Sequence, residues 1–184
     1  MIPTLPLALR NRLAETILAA LHDVRARGEL AALATDDDAK RWLAGADGRW
    51  IALLLERARR ASGALVGRPL RTPPLDLAAT LDDAAVLFDA GLHFEVHELL
   101  EPHWAASLDE AREALQGLIQ AAVGLQHFAN GNLAGARSLL IEAGERLHGR
   151  RLLGRDLDGF ARAMADLAAR VEAGTPVVPP PFPR

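Results

Sequence analysis

Along the first third of the chain, apolar residues recur at helical spacing. Leu5, Leu9, Leu13, Ile17, Leu21 and Val24 follow one another every four residues, and after three at the last step. That period predicts one long amphipathic helix ending near Gly28. Asp36-Asp37-Asp38 supplies caps for a short helix carrying Trp42, and Trp50, Leu53, Leu54 and Leu65 outline the buried face of a third, from about Asp47 to Val66. Arg68-Pro69-Leu70-Arg71-Thr72-Pro73-Pro74 then interrupts every period. Proline removes an amide donor and biases its predecessor away from helix. Residues 68–75 therefore read as a linker between a helical N-terminal extension (1–67) and a second helical body (76–173).

The second body shows four or five further helices. The first covers 77–90 and stops at Gly91, placed as a C′ glycine. A helix rich in histidine and glutamate starts at Leu92 and is expected to kink or end near Pro102. The next runs from about Asp109 to Ala129. Asn130-Gly131-Asn132 makes a tight turn with Asn132 as N-cap of a helix reaching Leu147, and Asp156 caps a last helix to Ala173. The proline-rich tail, within 174–184, is expected to be extended. Apart from two valines in that tail nothing suggests a strand. The fold class is all-α: a compact helical bundle with an additional N-terminal helical segment.

Composition sharpens this picture. Half the residues are apolar, enough for a core, and cysteine is absent, which excludes disulfides, thiolate metal sites and thiol catalysis. Any metal must be held by nitrogen and oxygen. The start of the chain lacks the charged segment and apolar run of a signal peptide, and no apolar stretch approaches the ~20 residues a membrane span needs. A cytoplasmic location with no membrane contact is the expectation. The net charge of −3 conceals an asymmetry: residues 1–75 carry twelve basic and eight acidic side chains, residues 76–184 nine and sixteen. Between 82 and 113 there are nine carboxylates and one arginine, a surface that repels nucleic acid and favours cations. No nucleic-acid partner is expected.

The candidate chemistry lies in His93-Phe94-Glu95-Val96-His97-Glu98-Leu99-Leu100-Glu101-Pro102-His103-Trp104, which holds three of the six histidines. At about 100° per residue, His93, Glu101 and Trp104 fall within about 40° of His97, while Glu98 and Glu95 lie about 100° and 160° round on an acidic arc. Phe94 sits in the middle of that arc. In the helix from Asp109, Gln116, Gln120 and His127 form a polar stripe on an otherwise apolar helix, with Gly117 and Gly124 beside it. Glycine costs about 1 kcal/mol relative to alanine inside a helix, so two on one seam point to close approach of a neighbour. The expectation is that the Gln116/Gln120/His127 stripe faces the His97/Glu101 stripe across that seam.

These residues also resemble a known family. Phe94-Glu95-Val96-His97-Glu98-Leu99-Leu100-Glu101, Trp104, Gln116-Gly117-Leu118-Ile119-Gln120, His127 and Gly131-Asn132-Leu133-Ala134-Gly135-Ala136 occur in the order of the pattern F-E-x-H-E-x-x-E, W, Q-G-L-I-Q, H, G-N-x-x-G-A of domain-of-unknown-function family 309, small helical bundles of bacteria and archaea. The resemblance covers roughly residues 80–148 and is expected to extend through the C-terminal helix. It implies a helical bundle and a shared set of Glu95, His97, Glu98, Glu101, Gln116, Gln120 and His127. It implies no activity, because the family's biochemistry is unassigned. His93 and Pro102 depart from the pattern.

Three readings are open. In the first, the His/Glu/Gln cluster with Trp104 is a structural hydrogen-bond network in an interaction or scaffold protein. In the second, His97, Glu101 and His127 bind zinc, manganese or iron, and Glu95 or Glu98 acts as base on a bound water in a metal-dependent hydrolase. In the third, residues 124–147 are one helix-turn-helix unit of a tetratricopeptide-like interaction module, although only one such unit is visible and stable solenoids need about three. Residues 1–75, with Trp42 and Trp50, are a candidate surface for a homodimer or a protein partner.

Overall fold

The computed structural model describes residues 4–43 and 48–184. The chain divides into two compact units, one ending at Leu75 and the other starting at Asp76. Among the described residues there are nine α-helices and one two-stranded ribbon, so the fold is all-α. No helix among them is long and apolar enough to cross a membrane.

The first unit contains α1 (Leu7–Ala19), α2 (Val24–Leu33), α3 (Asp36–Trp42) and α4 (Ile51–Leu65), the last entered through a 3₁₀ turn at Gly48–Trp50. Asp47, the expected start of that helix, lies outside the described residues. The single long helix expected from the leucine period is in fact two, and Val24, which extended the period, is 67% exposed. Asp23 is the reason. Its backbone is extended and its side chain accepts the Arg25 N–H at 2.6 Å, so it caps a new helix. Arg27 seals the break by donating from Nε to the Ala20 carbonyl at 3.0 Å. The core is Leu13, Ile17, Leu30, Leu33, Leu54 and Leu65, whereas Trp50 and Leu53 are only half-buried. Arg12 lies 4.0 Å over the Trp42 ring, and the indole N–H reaches Glu29 at 3.2 Å. The segment after α4 is tied to this unit: Arg27 donates to the Arg68 carbonyl, and the Arg71 N–H to the Leu21 carbonyl.

The second unit is a succession of neighbours, α5 (Leu77–Asp89), α6 (His93–Ala106), α7 (Asp109–Ala129), α8 (Leu133–Leu147) and α9 (Asp158–Ala173), each packed on the next. Two of the connections are the same turn. Gly91 and Gly131 have φ of 72° and 76°, which glycine adopts without steric cost. The Gly91 and Leu92 amides donate to Phe88 and Leu87, and those of Gly131 and Asn132 to Phe128 and His127, all at 2.8–2.9 Å. Each set is a Schellman cap that redirects the chain into the next helix. The hairpins α5–α6 and α7–α8 are thus equivalent at a spacing of forty residues, with Phe88/Phe128, Gly91/Gly131 and Leu99-Leu100/Leu139-Leu140 in register. α9 ends in the same motif, at Gly174.

Three further features depart from the expectations. α6 runs through Pro102 to Ala106 without ending there. Its last carbonyls are taken by side chains, Ser107 Oγ on His103 and Arg112 on Trp104, which closes the final turn beyond Pro102. A ribbon of β1 (Arg151–Leu152) and β2 (Arg155–Asp156) precedes α9, its turn made by Leu153 and Gly154, both at positive φ. The tail beyond α9 is extended as expected, yet docked. Phe182 is buried among Phe88 and Phe160, its N–H donates to Asp89 at 2.9 Å, and Arg184 pairs with the same carboxylate.

Asp156 accepts the Asp158 N–H, while Asp158 in the first turn of α9 accepts the Gly149 N–H at 2.5 Å. That hydrogen bond, then His148 and Arg162, holds the Asp158 carboxyl below its ordinary value of 3.8. A carboxyl with a lowered folded pKa stabilises the fold above pH 3.8, and the contribution is lost as pH falls through the lowered value. Asp158→Asn is therefore expected to lower the thermal midpoint at neutral pH. The gap from the wild type should close below pH 3.8, as read by thermal unfolding across that range.

Candidate functional site

α6 carries the densest chemistry. His97 Nδ1 lies 3.1 Å from Glu98 Oε1, and Nε2 lies 3.8 Å from Glu101 Oε2. One potential ligand atom from each of the three falls within 4.8 Å of the others, the group of this kind among the described residues. Their side chains are 29%, 39% and 53% exposed, so the cluster opens to solvent on one face of the helix. Phe94 packs its ring 6.2 Å from the His97 ring, which accounts for an aromatic residue on that arc. Glu95, assigned to the same arc by the helical wheel, is instead fully buried and engaged within the protein. Thr80, Asp83 and His93 are the other buried polar residues of this unit.

Gln120 and His127 of the α7 stripe find their partners outside this cluster. Gly117 and Gly124 face α8: a Cβ on Gly117 would stand 2.7 Å from Leu147 Cγ, and one on Gly124 3.1 Å from Leu140 Cγ. The close approach inferred from the glycines is real, but the neighbour is α8 and not α6. Gln120 accordingly donates to Glu142 on α8 at 2.7 Å, and beside it Glu113 pairs with Arg146. His127 belongs to the hairpin turn. Its carbonyl accepts the Asn130 and Asn132 amides, and its Nδ1 accepts from Asn132 Nδ2 at 2.9 Å. Asn132 in turn accepts the Gly135 N–H as N-cap. A Cβ on Gly135 would lie 2.6 Å from Asn132 Nδ2, so the cap requires glycine there. Gln116 is half-buried on the same helix. His127 is therefore not among the ligands gathered around His97; Glu98 takes the third place.

Trp104 marks the junction of α6 and α7. The Arg112 guanidinium lies 4.1 Å over its ring and donates to its carbonyl at 3.0 Å, a cation–π contact reinforced by a hydrogen bond. Two residues escaped the sequence reading here. The Thr80 hydroxyl donates to the Asp76 carbonyl and lies 2.9 Å from His103 Nε2, so His103 supplies the proton of that second bond and ties α6 to α5. Contacts between residues 23 apart leave no periodic signal.

Residues 81–139 match the model of the family described as "Domain of unknown function (DUF309)". Over those residues the chain is similar to the DUF309 family. No curated protein and no solved structure matches the chain. The DUF309 segment runs from within α5 to within α8 and includes both glycine turns. Much of its motif now has a structural role: Gly117 admits Leu147, Gln120 holds Glu142, and His127, Gly131, Asn132 and Gly135 build the second turn. The His-Glu-x-x-Glu face of α6 is the part left available for ligand chemistry.

The α7–α8 seam yields a direct test. Gly117→Ala gains about 1 kcal/mol of helix propensity but forces a methyl into Leu147, an overpacking cost of about 1–3 kcal/mol. A net fall in stability by urea unfolding is expected. Gly28→Ala in α2, where a Cβ meets nothing within 4 Å, should be stabilising by the same assay.

Proposed function

We propose that the DUF309 unit is an interaction scaffold built from tandem helical hairpins of the tetratricopeptide kind. In this reading its polar motif residues set helix register and do not form a reaction centre. The observation that carries it is the repetition of one Schellman turn at Gly91 and Gly131, with α9 closing on the same motif at Gly174. Repeated hairpins that bury a continuous seam and leave outer faces free are a general solution for binding other chains. The dispersal of Gln120 and His127 to separate partners supports the same view, since a catalytic constellation needs convergent groups. Residues 1–75, which expose Leu7, Val24, Val66 and Leu70, are the proposed second contact surface.

A cation site on α6 is the second reading, favoured by the His97/Glu98/Glu101 grouping. One helix face offers three ligands to a zinc, manganese or iron ion and leaves positions for water. The two ring nitrogens of His97 address different carboxylates, however, so the same geometry also serves as a surface ion-pair triad of modest energy. With Glu98 taken as a ligand and Glu95 sealed in the interior, the hydrolase version of this reading loses both of its expected bases.

Elemental analysis of untagged full-length protein, purified without chelator, separates the two. The scaffold reading expects metal-free protein whose melting temperature is indifferent to chelator. Stoichiometric metal that disappears in the His97→Ala/Glu101→Ala variant, with a chelator-sensitive melting temperature, would replace it with the cation reading.

A further inference from the structure

Between α8 and α9 the second unit leaves a groove of about 610 Å³. Its floor is made of Ile141, Gly144, Ala161, Ala165, Ala168 and Ala169. The two backbones come close there: a Cβ on Gly144 would stand 3.1 Å from the Ala161 carbonyl oxygen. Ala165 and Ala169 are exposed, so no bulky side chain stands over the middle of α9. The terminal helix of a hairpin array normally turns a polar face outward. Here the chain after Gly174 runs to the Phe88–Phe160 cluster through Phe182 and leaves the groove open.

The rim indicates the occupant. Arg137 and Arg162 are balanced by Glu145 and Glu172, so neither a polyanion nor a polycation fits it. On α9 the order is Arg162, then the alanines, then Glu172, and the two charges are equidistant from position 167. Both are well exposed, at 69% and 63% of the side chain. Arg162 reaches Asp158 only at 3.9 Å, while Glu172 pairs with Arg137 across the rim at 3.2 Å, so an Arg162 from a second copy would join that existing pair. A twofold contact is self-complementary, with residue i meeting j and j meeting i. If two α9 helices cross antiparallel at their alanine faces, each Arg162 meets the Glu172 of the other copy, about 15 Å apart along the helix.

We infer that this groove is a self-association surface whose occupant is α9 of a second copy of this chain. The inference deepens and rests on the interaction-scaffold reading.

The test is sedimentation of untagged full-length protein over a concentration series. The wild type is expected to dimerise. Ala165→Glu should be monomeric with an unchanged circular dichroism spectrum and melting temperature. Arg162→Glu and Glu172→Arg should each weaken self-association by more than about tenfold, and an equimolar mixture of the two should recover it, because unlike charges again face each other. A wild type that stays monomeric, or a dimer indifferent to Ala165→Glu and to both charge reversals, overturns the inference. A metal-free monomer would remove this inference and leave the scaffold reading intact. Stoichiometric metal at His97 would remove the scaffold reading whatever the sedimentation result.

Discussion

The arrangement of the second unit depends on how closely α7 and α8 approach. Gly117 and Gly124 let Leu147 and Leu140 rest against the α7 backbone itself, in a space where a methyl group would collide with Leu147 at Gly117 and press tightly on Leu140 at Gly124. Interiors pack at crystal-like density, so a contact of this kind fixes the rotation of both helices about their axes. Once α7 is turned to present its glycines to α8, Gln120 and Glu113 face Glu142 and Arg146. The stripe that looked like half of a buried polar site becomes a set of cross-links between two arms of a hairpin.

The same constraint leaves His97 where it is. With Gln120 committed to α8 and His127 to the turn, the face of α6 carrying His97, Glu98 and Glu101 opens to solvent, and its histidine lies beside carboxylates of its own helix. Glu95, two residues earlier, is drawn inside. Within DUF309 the name of the motif thus covers two kinds of residue: those that build the second hairpin, and a small acidic patch around one histidine. α5 and α9 meet through Phe88, Phe160 and Phe182, so the successive hairpins close into a bundle pinned by the chain's own tail.

Much of this was legible in the sequence because the signals were local. Gly91 as a C′ residue, Asn132 as an N-cap and the span of α8 are set by groups within a few residues of one another. The leucine period across 5–24 misled for the opposite reason: Leu21 continues the spacing, but the Asp23 cap two residues later decides where the backbone turns. Pro102 misled because the groups that stabilise α6 beyond it, Arg112 above all, lie on another helix. The first hairpin concealed its kinship with the second, since His93, Phe94 and Glu95 stand where the second has Leu133, Ala134 and Gly135. The glycine seam was read correctly as close approach and assigned to the wrong neighbour, because periodicity gives a face and not its partner.

The central claim is that His127 works with the hairpin turn and not with the α6 cluster. Double-mutant cycles on unfolding free energy test it directly. His127→Ala combined with Asn132→Ala should show a coupling of about 0.5–1 kcal/mol, the scale of one side-chain hydrogen bond. Combined with His97→Ala it should be additive within about 0.3–0.5 kcal/mol. Coupling of His127 to His97, with none to Asn132, would contradict the account and restore a single site shared by the two helices.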